Sequence, residues 1–255
     1  MSSHLELFAI PNFPMVRDGD DLAALIADGL GRAGMTLRHR DVVVVAQKIV
    51  SKAEGRGVDL ASVVPAAEAV RYAAETGKDA RIVQILLSES VKVVRSRPNL
   101  MIMHHRLGFV MANAGVDQSN VAPTDGVQRA LLLPLDPDGS ADAIRSSLSD
   151  RFGVKLGVVI SDSFGRPWRR GTVGVAIGCS GLPSFIDLRG QPDLFGRTLE
   201  VSIIGFADEI AAAASLLQGQ AAEGQPVVIL RGLTWTAPDA PVSDLIRPPQ
   251  EDLFQ

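Results

Sequence analysis

VISDSFGRPWRRGTVGVAIG, residues 159–178, joins two apolar runs through a short polar stretch. The first run, Leu156 to Ile160, reads as a strand and delivers Ser161, Asp162 and Ser163. A Gly-Arg-Pro turn, Trp168 and two arginines follow, and Thr172 to Ile177 reads as a second strand. A carboxylate and two hydroxyls therefore stand at a strand end, with Arg166, Arg169 and Arg170 close by in sequence. Carboxylates so placed suit a hard metal ion, and guanidinium groups suit phosphate oxygens. Strands joined by connections this short, without strict strand–helix alternation, favour an α+β fold over a doubly wound parallel sheet.

The neighbouring segments extend that pattern. Residues 5–10 read as a strand broken at Pro11, and Asp20 reads as the N-cap of a helix carrying Leu22, Leu25, Ile26 and Leu30 and ending at Gly34. Asp41 to Ala46, DVVVVA, is apolar throughout after its first residue and reads as a buried strand. Residues 60–87 read as two helical pieces, the first begun at Pro65 and the two parted by Gly77. Val91 to Val94, Leu100 to Met103 and Leu107 to Met111 read as a meander, and Leu131 to Leu133 as a further strand. A turn at 136–140 precedes a helix from Ala141 to Phe152. Residues 187–196 read as a loop, Leu199 to Ile204 as a strand, and Ala207 to Leu217 as an Ala-rich helix capped by Gly219. Val227 to Leu230 reads as a late buried strand and residues 236–255 as irregular.

With 255 residues the chain can bury a sizeable core as one domain spanning 1–255, with two subdomains as the variant. Only 5% of residues are aromatic, so that core has to be mostly Val, Leu, Ile and Ala. A net charge of −4 argues against bulk nucleic-acid binding. The single cysteine, Cys179, rules out an internal disulfide and reads as a small buried residue rather than a nucleophile. The N-terminus has no basic leader with an apolar core, and no apolar run is long enough to span a membrane, so the expected location is cytoplasmic.

The sequence holds no P-loop, no dinucleotide fingerprint after a strand, no HExxH and no CxxC. His104 and His105, adjacent on a strand, point to opposite faces and cannot share one metal from one side. Three polar clusters remain, each at the end of an apolar run: Lys48, Ser51 and Lys52; Asn113, Asp117 and Asn120; and Asp162, Ser163 and the arginines. Taken singly each reads equally as helix caps or a solvated loop. Together they supply two carboxylates for a divalent metal and cationic groups for phosphates, which points to a metal-dependent nucleotide or phosphate enzyme. Composition and spacing leave the reaction open.

At these residues the chain resembles the coenzyme F420-0:L-glutamate ligase family. The stretches that carry the resemblance are QKIVSKAEGR (47–56), MANAGVDQSNV (111–121), ISDSFGRPWRRG (160–171), VAIGCSGL (175–182), DLRGQPDLFGRTLEV (187–201) and ADEIAAAASLLQGQ (207–220). The chain resembles the family's stand-alone form, so the C-terminal reductase-like domain found in some members is not expected. The resemblance implies a family-specific α+β fold with mixed and antiparallel sheets in an intertwined homodimer. It implies GTP as co-substrate, two divalent ions (Mg²⁺ or Mn²⁺) and stimulation by K⁺. The substrates implied are coenzyme F420-0 and L-glutamate, with further γ-linked glutamates as an extension and no nucleic-acid or membrane partner.

Carried over residue by residue, the resemblance gives Asp117 and Asp162 to the first metal, and Ser163 and Gln220 to the second. Ser163 stands where relatives often have threonine. Nucleotide contacts map to Phe13, Pro14, Met15 and Val16, to Gln47 (where relatives often carry serine), to Lys52, to Asn120, and to the loop around Gly219, Gln220 and Gly224. Lys52 joins the two aspartates as a catalytic candidate, with Glu54 and Glu209 as candidate bases. Arg166, Arg169, Arg170 and Arg189 are candidates for the precursor's anionic groups, and Trp168 for its ring or for packing on its own turn. The competing readings are a metal-dependent phosphohydrolase and a non-catalytic ligand binder.

Overall fold

In the computed structural model the described residues are 4–119 and 128–252. In chain order the elements begin with β1 (Glu6–Ala9), α1 (Leu22–Arg32), β2 (Val42–Ala46), α2 (Gln47–Ala53), β3 (Gly57–Asp59), α3 (Ala67–Thr76) and α4 (Ala80–Ser88). They continue with β4 (Ser90–Arg97), β5 (Leu100–His105), β6 (Val110–Ala112), β7 (Arg129–Leu131) and α5 (Pro137–Phe152). The last are β8 (Gly157–Arg166), β9 (Arg169–Ser180), β10 (Ile186–Asp187), β11 (Ile203–Ile204), α6 (Phe206–Gln218) and β12 (Val227–Arg231). Short 3-10 turns occupy Leu60–Ser62, Asn113–Gly115, Val242–Leu245 and Pro249–Glu251.

The main sheet has the order β1-β12-β2-β8-β9. Only β2 and β8 run parallel; the other pairs are antiparallel. The expected α+β class is therefore met by a mixed sheet. Both faces of β2 are covered, which is why it reads as an unbroken valine run. Val43 and Val45 pack with Ile26 and Leu30 of α1 and Ile144 and Leu148 of α5. Val42 and Val44 pack on the opposite face with Ile210, Ala211 and Ala214 of α6. A second core lies under the β4-β5-β6 sheet, where α3 and α4 supply Ala69, Ile82, Val83 and Leu86 against Met101 and Met103.

The opening stretch folds as a hairpin longer than its two apolar runs. Residues 157–161 of β8 pair with β2, while 162–166 pair with β9 alone, so the ribbon runs on past the end of β2. Two glycines let helices close on β9. A Cβ at Gly174 would stand 2.3 Å from the Ala211 carbonyl oxygen of α6, and one at Gly178 2.4 Å from that of Pro137 in α5. Ile160 pairs with Gly178 and Ser161 with Ala176, which leaves Ile177 as an extra residue in β9. Such a bulge increases local twist and re-aims neighbouring side chains, and this one lies directly before Asp162.

Several expected boundaries move. The N-cap of α1 is Asp21, whose carboxylate accepts from Ala24 N; Asp20 instead accepts from Arg17 N and closes the preceding turn. Helix α3 begins at Ala67, two residues beyond Pro65, and α5 begins at Pro137, because Asp136 caps it through Gly139 N. The expected strand at 107–111 narrows to Val110–Ala112, since Gly108 (φ 90°) turns the chain first. The strand expected over 199–204 forms only at Ile203–Ile204. That at 131–133 forms at Arg129–Leu131. His104 and His105 alternate as read: His105 is buried, and its Nδ1 accepts from Leu107 N. Cys179 is buried, and burial pushes its thiol up to about 12, so it is inert as a nucleophile. Among the described residues no helix is long and apolar enough to cross a membrane.

Candidate active site

Residues 47–53, directly after β2, form α2 rather than a loop. Helical spacing then stacks Gln47 over Ser51 and Lys48 over Lys52 as i, i+4 pairs. Ser51 Oγ donates to Gln47 Oε1 at 2.9 Å, which turns the Gln47 amide so that Nε2 donates to Asp117 Oδ2 at 3.0 Å. Gln47 is only 1% exposed, so this orientation is held by packing as well. Lys48 Nζ lies 3.4 Å from the same Asp117 oxygen and donates to Ser119 Oγ at 3.1 Å.

The backbone brings Asp117 to this point. Residues Asn113, Ala114 and Gly115 all have positive φ (49°, 50° and 64°), which reverses the chain after β6. Asp117 is then clamped to Leu131, each donating its N–H to the other's carbonyl, at 2.9 and 2.8 Å. Asp162 arrives from β8, on the face opposite Ser161. Ser161 Oγ donates to Gln218 Oε1 of α6 at 3.2 Å, whereas Asp162 accepts from Ser163 N at 2.7 Å. Among the described residues no other hydrogen bond reaches the Asp162 carboxylate.

The electrostatics follow from this placement. Burial, and then the negative charge of Asp117, push Asp162 up to about 7 against the pull of Ser163 N and Lys48. Asp117 is also raised by burial, against Lys48, Gln47 and Ser119. Lys52 is lowered, by burial first and by Lys48 second. The site thus holds two carboxylates and one ammonium group, Lys52, whose charged forms burial disfavours.

Two cavities open here. The larger, about 570 Å³, is bounded by Phe13–Val16, Gln47, Lys48, Lys52, Ser161–Ser163, Gln218 and the loop 219–226. Gly219 (φ 69°) ends α6, and Ala221 N donates to Glu223 Oε2 to close the loop. The smaller, about 170 Å³, is bounded by Lys48, Asn113, Asp117, Asp162, Ser163 and Gly165, among others. Lys48, Asp162 and Ser163 line both.

Most of the site residues expected from sequence therefore converge. Phe13, Pro14, Met15, Val16, Gln47, Lys52, Asp162, Ser163, Gly219, Gln220 and Gly224 line the larger cavity; Asp117 lines the smaller. Asn120 lies outside the described residues. Gln47 differs from its expected role as a nucleotide contact in one respect: its amide is committed to Asp117 and Ser51. Glu54 is not at the site; it accepts from Leu135 N and Ser140 Oγ and holds the start of α5. Glu209 is exposed in the first turn of α6, at the end away from the cavity. Arg189 is paired with Asp187, with Nη2 2.6 Å from Oδ2. Arg169, Arg170 and Trp168 stand at the hairpin tip, where Trp168 (φ 59°) is 85% exposed. Gln218 is the addition, and no local signal marked it; Lys48 comes from the first polar cluster and Ser161 from the hydroxyl pair at the end of the strand, both read from the sequence.

Among the described residues no three or more His, Cys, Asp or Glu side chains form a group that could hold a metal ion. A cation here would rest on two carboxylates and on oxygens brought by a ligand, the mode typical of Mg²⁺. A sequence profile described as F420-0:Gamma-glutamyl ligase matches residues 11–232. Similar chains named coenzyme F420:L-glutamate ligase include one from Methanothermobacter thermautotrophicus, 45% identical over 98% of this chain and 99% of its own length. Another, from Methanopyrus kandleri, is 43% identical over 98% of both chains, and one from Methanocaldococcus jannaschii is 43% identical over 95% and 94%. With the match running from just after β1 through β12 and enclosing both cavities, the chain belongs to the F420-0:gamma-glutamyl ligase family.

Proposed function

We propose that the chain is a GTP-dependent ligase that joins the amine of L-glutamate to the lactyl carboxylate of coenzyme F420-0, with GDP and phosphate as by-products. The observation that carries this reading is the shared wall of the two cavities, where Asp162 and Ser163 meet Lys48. A ligase of this kind must hold a phosphate donor and an acceptor on either side of one reacting group, and this arrangement provides two compartments with one common boundary.

A carboxylate is a poor acyl donor because oxide is a poor leaving group. The carboxylate oxygen attacks the γ-phosphorus, the bond from that phosphorus to the β-bridging oxygen breaks, and GDP leaves with the electron pair. The amine, after losing one proton to solvent, attacks the acyl carbon. The carbon–oxygen bond to phosphate then breaks, and phosphate carries off that electron pair and the second amine proton. Phosphoryl transfer depends mainly on positioning and charge neutralisation, which is consistent with a site that presents no strong nucleophile.

In this reading the larger cavity takes the nucleotide. Lys48 and Lys52, stacked on one helix face, supply charge to its phosphates, and the loop at Gly219–Gly224 borders the nucleotide. Asp117 and Asp162 fit a divalent cation: both are oxygen donors, both are held short of positive charge, and a bound cation would relieve both. Ser163 and Gln220 would serve a second ion. Mg²⁺ or Mn²⁺ bound there would neutralise charge on the phosphate oxygens. Gln47 fixes one oxygen of Asp117 and so sets the orientation of its carboxylate. The reading includes a homodimer, supported by apolar side chains left on the surface: Leu194 (99% exposed), Phe195 (95%) and Trp168. Sedimentation that gives a monomer at micromolar concentration would remove that part.

The direct test is GDP release by purified protein with Mn²⁺ and GTP. The ligase reading expects release that requires both L-glutamate and the deazaflavin precursor, together with a product heavier by one glutamyl unit. Release without glutamate would make the chain a phosphohydrolase, and no release with both substrates would make it a binder.

A further inference from the structure

We infer that the smaller cavity is the subsite for the acceptor amino acid, an inference that rests on the ligase reading. Three observations carry it.

The first is size. At roughly 30 Å³ per water, a cavity of about 170 Å³ holds the equivalent of about six waters. That is the scale of a single amino acid, and it is too small for a nucleotide or a fused three-ring coenzyme. The larger cavity, about 570 Å³, falls in the range usual for ligands of nucleotide size.

The second is position. Anything held in the smaller cavity touches the larger one only across Lys48, Asp162 and Ser163. A nucleophile there reaches the acyl group from the side opposite the nucleoside, where departing GDP does not obstruct it. The lining also suits the acidic groups of an amino acid: Lys48 and the Asn113 amide can donate to a carboxylate, while Asp117 and Asp162 keep the cation of the ligase reading.

The third is space left open at Gly165. Other glycines of the site are dictated by packing or backbone. A Cβ at Gly174 would meet the Ala211 carbonyl, and one at Gly115, already at φ 64°, would meet Met111 and Leu133. Gly165 has neither constraint: its φ is not positive, and a Cβ there meets nothing within 4 Å. It pairs with Thr172, and the register of the ribbon shifts only after it, before Arg166. Nothing in the fold requires glycine at this point, yet its missing side chain keeps the wall of the smaller cavity open.

Gly165→Val tests the assignment, because it places a side chain at that wall without backbone strain. The expected result is a tenfold or greater rise in KM for L-glutamate, with GDP affinity and the KM values for GTP and the precursor within about twofold of wild type. Ala112→Leu fills the same cavity from β6 and should give the same pattern should Gly165→Val fold poorly. A rise in the precursor's KM with glutamate's unchanged would overturn the assignment and leave the ligase reading standing. A glutamate KM that stays at the wild-type value in both variants would overturn it as well. Wild-type protein that forms no glutamyl product would remove both.

Discussion

Glu89 and Asp162 are carboxylates withdrawn from bulk water in different parts of the molecule, and they end at opposite extremes. For Glu89, at the junction of α4 and β4, burial alone would raise the carboxyl. His105, Arg56 and Arg106 overcome that and hold it at about 2. Arg56 Nη2 lies 2.9 Å from Glu89 Oε2, Arg106 Nε 3.2 Å and His105 Nε2 3.6 Å. Asp162 is given one backbone N–H and a second carboxylate as neighbour, and it rises to about 7. A buried charge that is only structural is compensated by the protein itself. One left uncompensated in a cavity wall marks a place where a ligand has to complete the charge balance.

The largest expected effect that could break this contrast is catalytic. Asp162→Asn should lower ligase turnover by roughly 10²–10³-fold or more, the scale seen when one charge-stabilising group is removed, with the fold intact by circular dichroism. Glu89→Gln should do the reverse. It should cost about 2–4 kcal/mol in denaturant unfolding, since it strands Arg56 and Arg106, and leave turnover within about twofold. Exchange of these two outcomes would mean that compensation says nothing about role.

Next is Gln47→Ala, which should weaken Mn²⁺ binding by about tenfold, as removal of a partner that orients a metal ligand does. Calorimetric titration in the presence of GDP reads this directly, and unchanged affinity would mean that the bond to Asp117 has no part in placing it. The pH dependence is smaller and of opposite sign at the two residues. Glu89 is lowered in the folded state, so its contribution is present above about pH 4.5 and is lost as pH falls toward 2. Asp162 is raised, so the metal-free protein loses stability as pH rises from about 4 to 7. Above pH 7 without metal, Asp162→Asn should therefore melt a few degrees higher than wild type, at roughly 2–4 °C per kcal/mol for a chain of this size. A lower melting point there would contradict the sign. Arg189→Ala is the weakest test: its pair with Asp187 is exposed and screened by solvent, so the melting point is expected to stay at the wild-type value.

Much of the scaffold was legible from local pattern. The four successive valines of β2 announce a strand covered on both faces, and Gly77 and Gly219 end their helices at positive φ as a residue without Cβ can. The polar clusters at the ends of apolar runs pointed to Asp117 and Asp162 because strands stop where ligands are met. What local reading missed depends on contacts distant in sequence. Gln47, which the family resemblance assigns to the nucleotide, also spends its amide on Asp117, 70 positions away, a contact that no spacing announces. Glu54 looked like a free base because Ser140, 86 positions away, cannot be paired with it from spacing. The length of the β8–β9 ribbon was hidden by Gly165, Pro167 and Gly171, which read as a loop when strand pairing is not known.

The most direct test of the contrast is Mn²⁺ binding with GDP present, followed by electron paramagnetic resonance of free Mn²⁺, in wild type, Asp162→Asn and Glu89→Gln. The account predicts that wild type and Glu89→Gln deplete free Mn²⁺ alike while Asp162→Asn does not. Equal depletion by Asp162→Asn would contradict the claim that the uncompensated carboxylate at the cavity wall is the one that holds the metal.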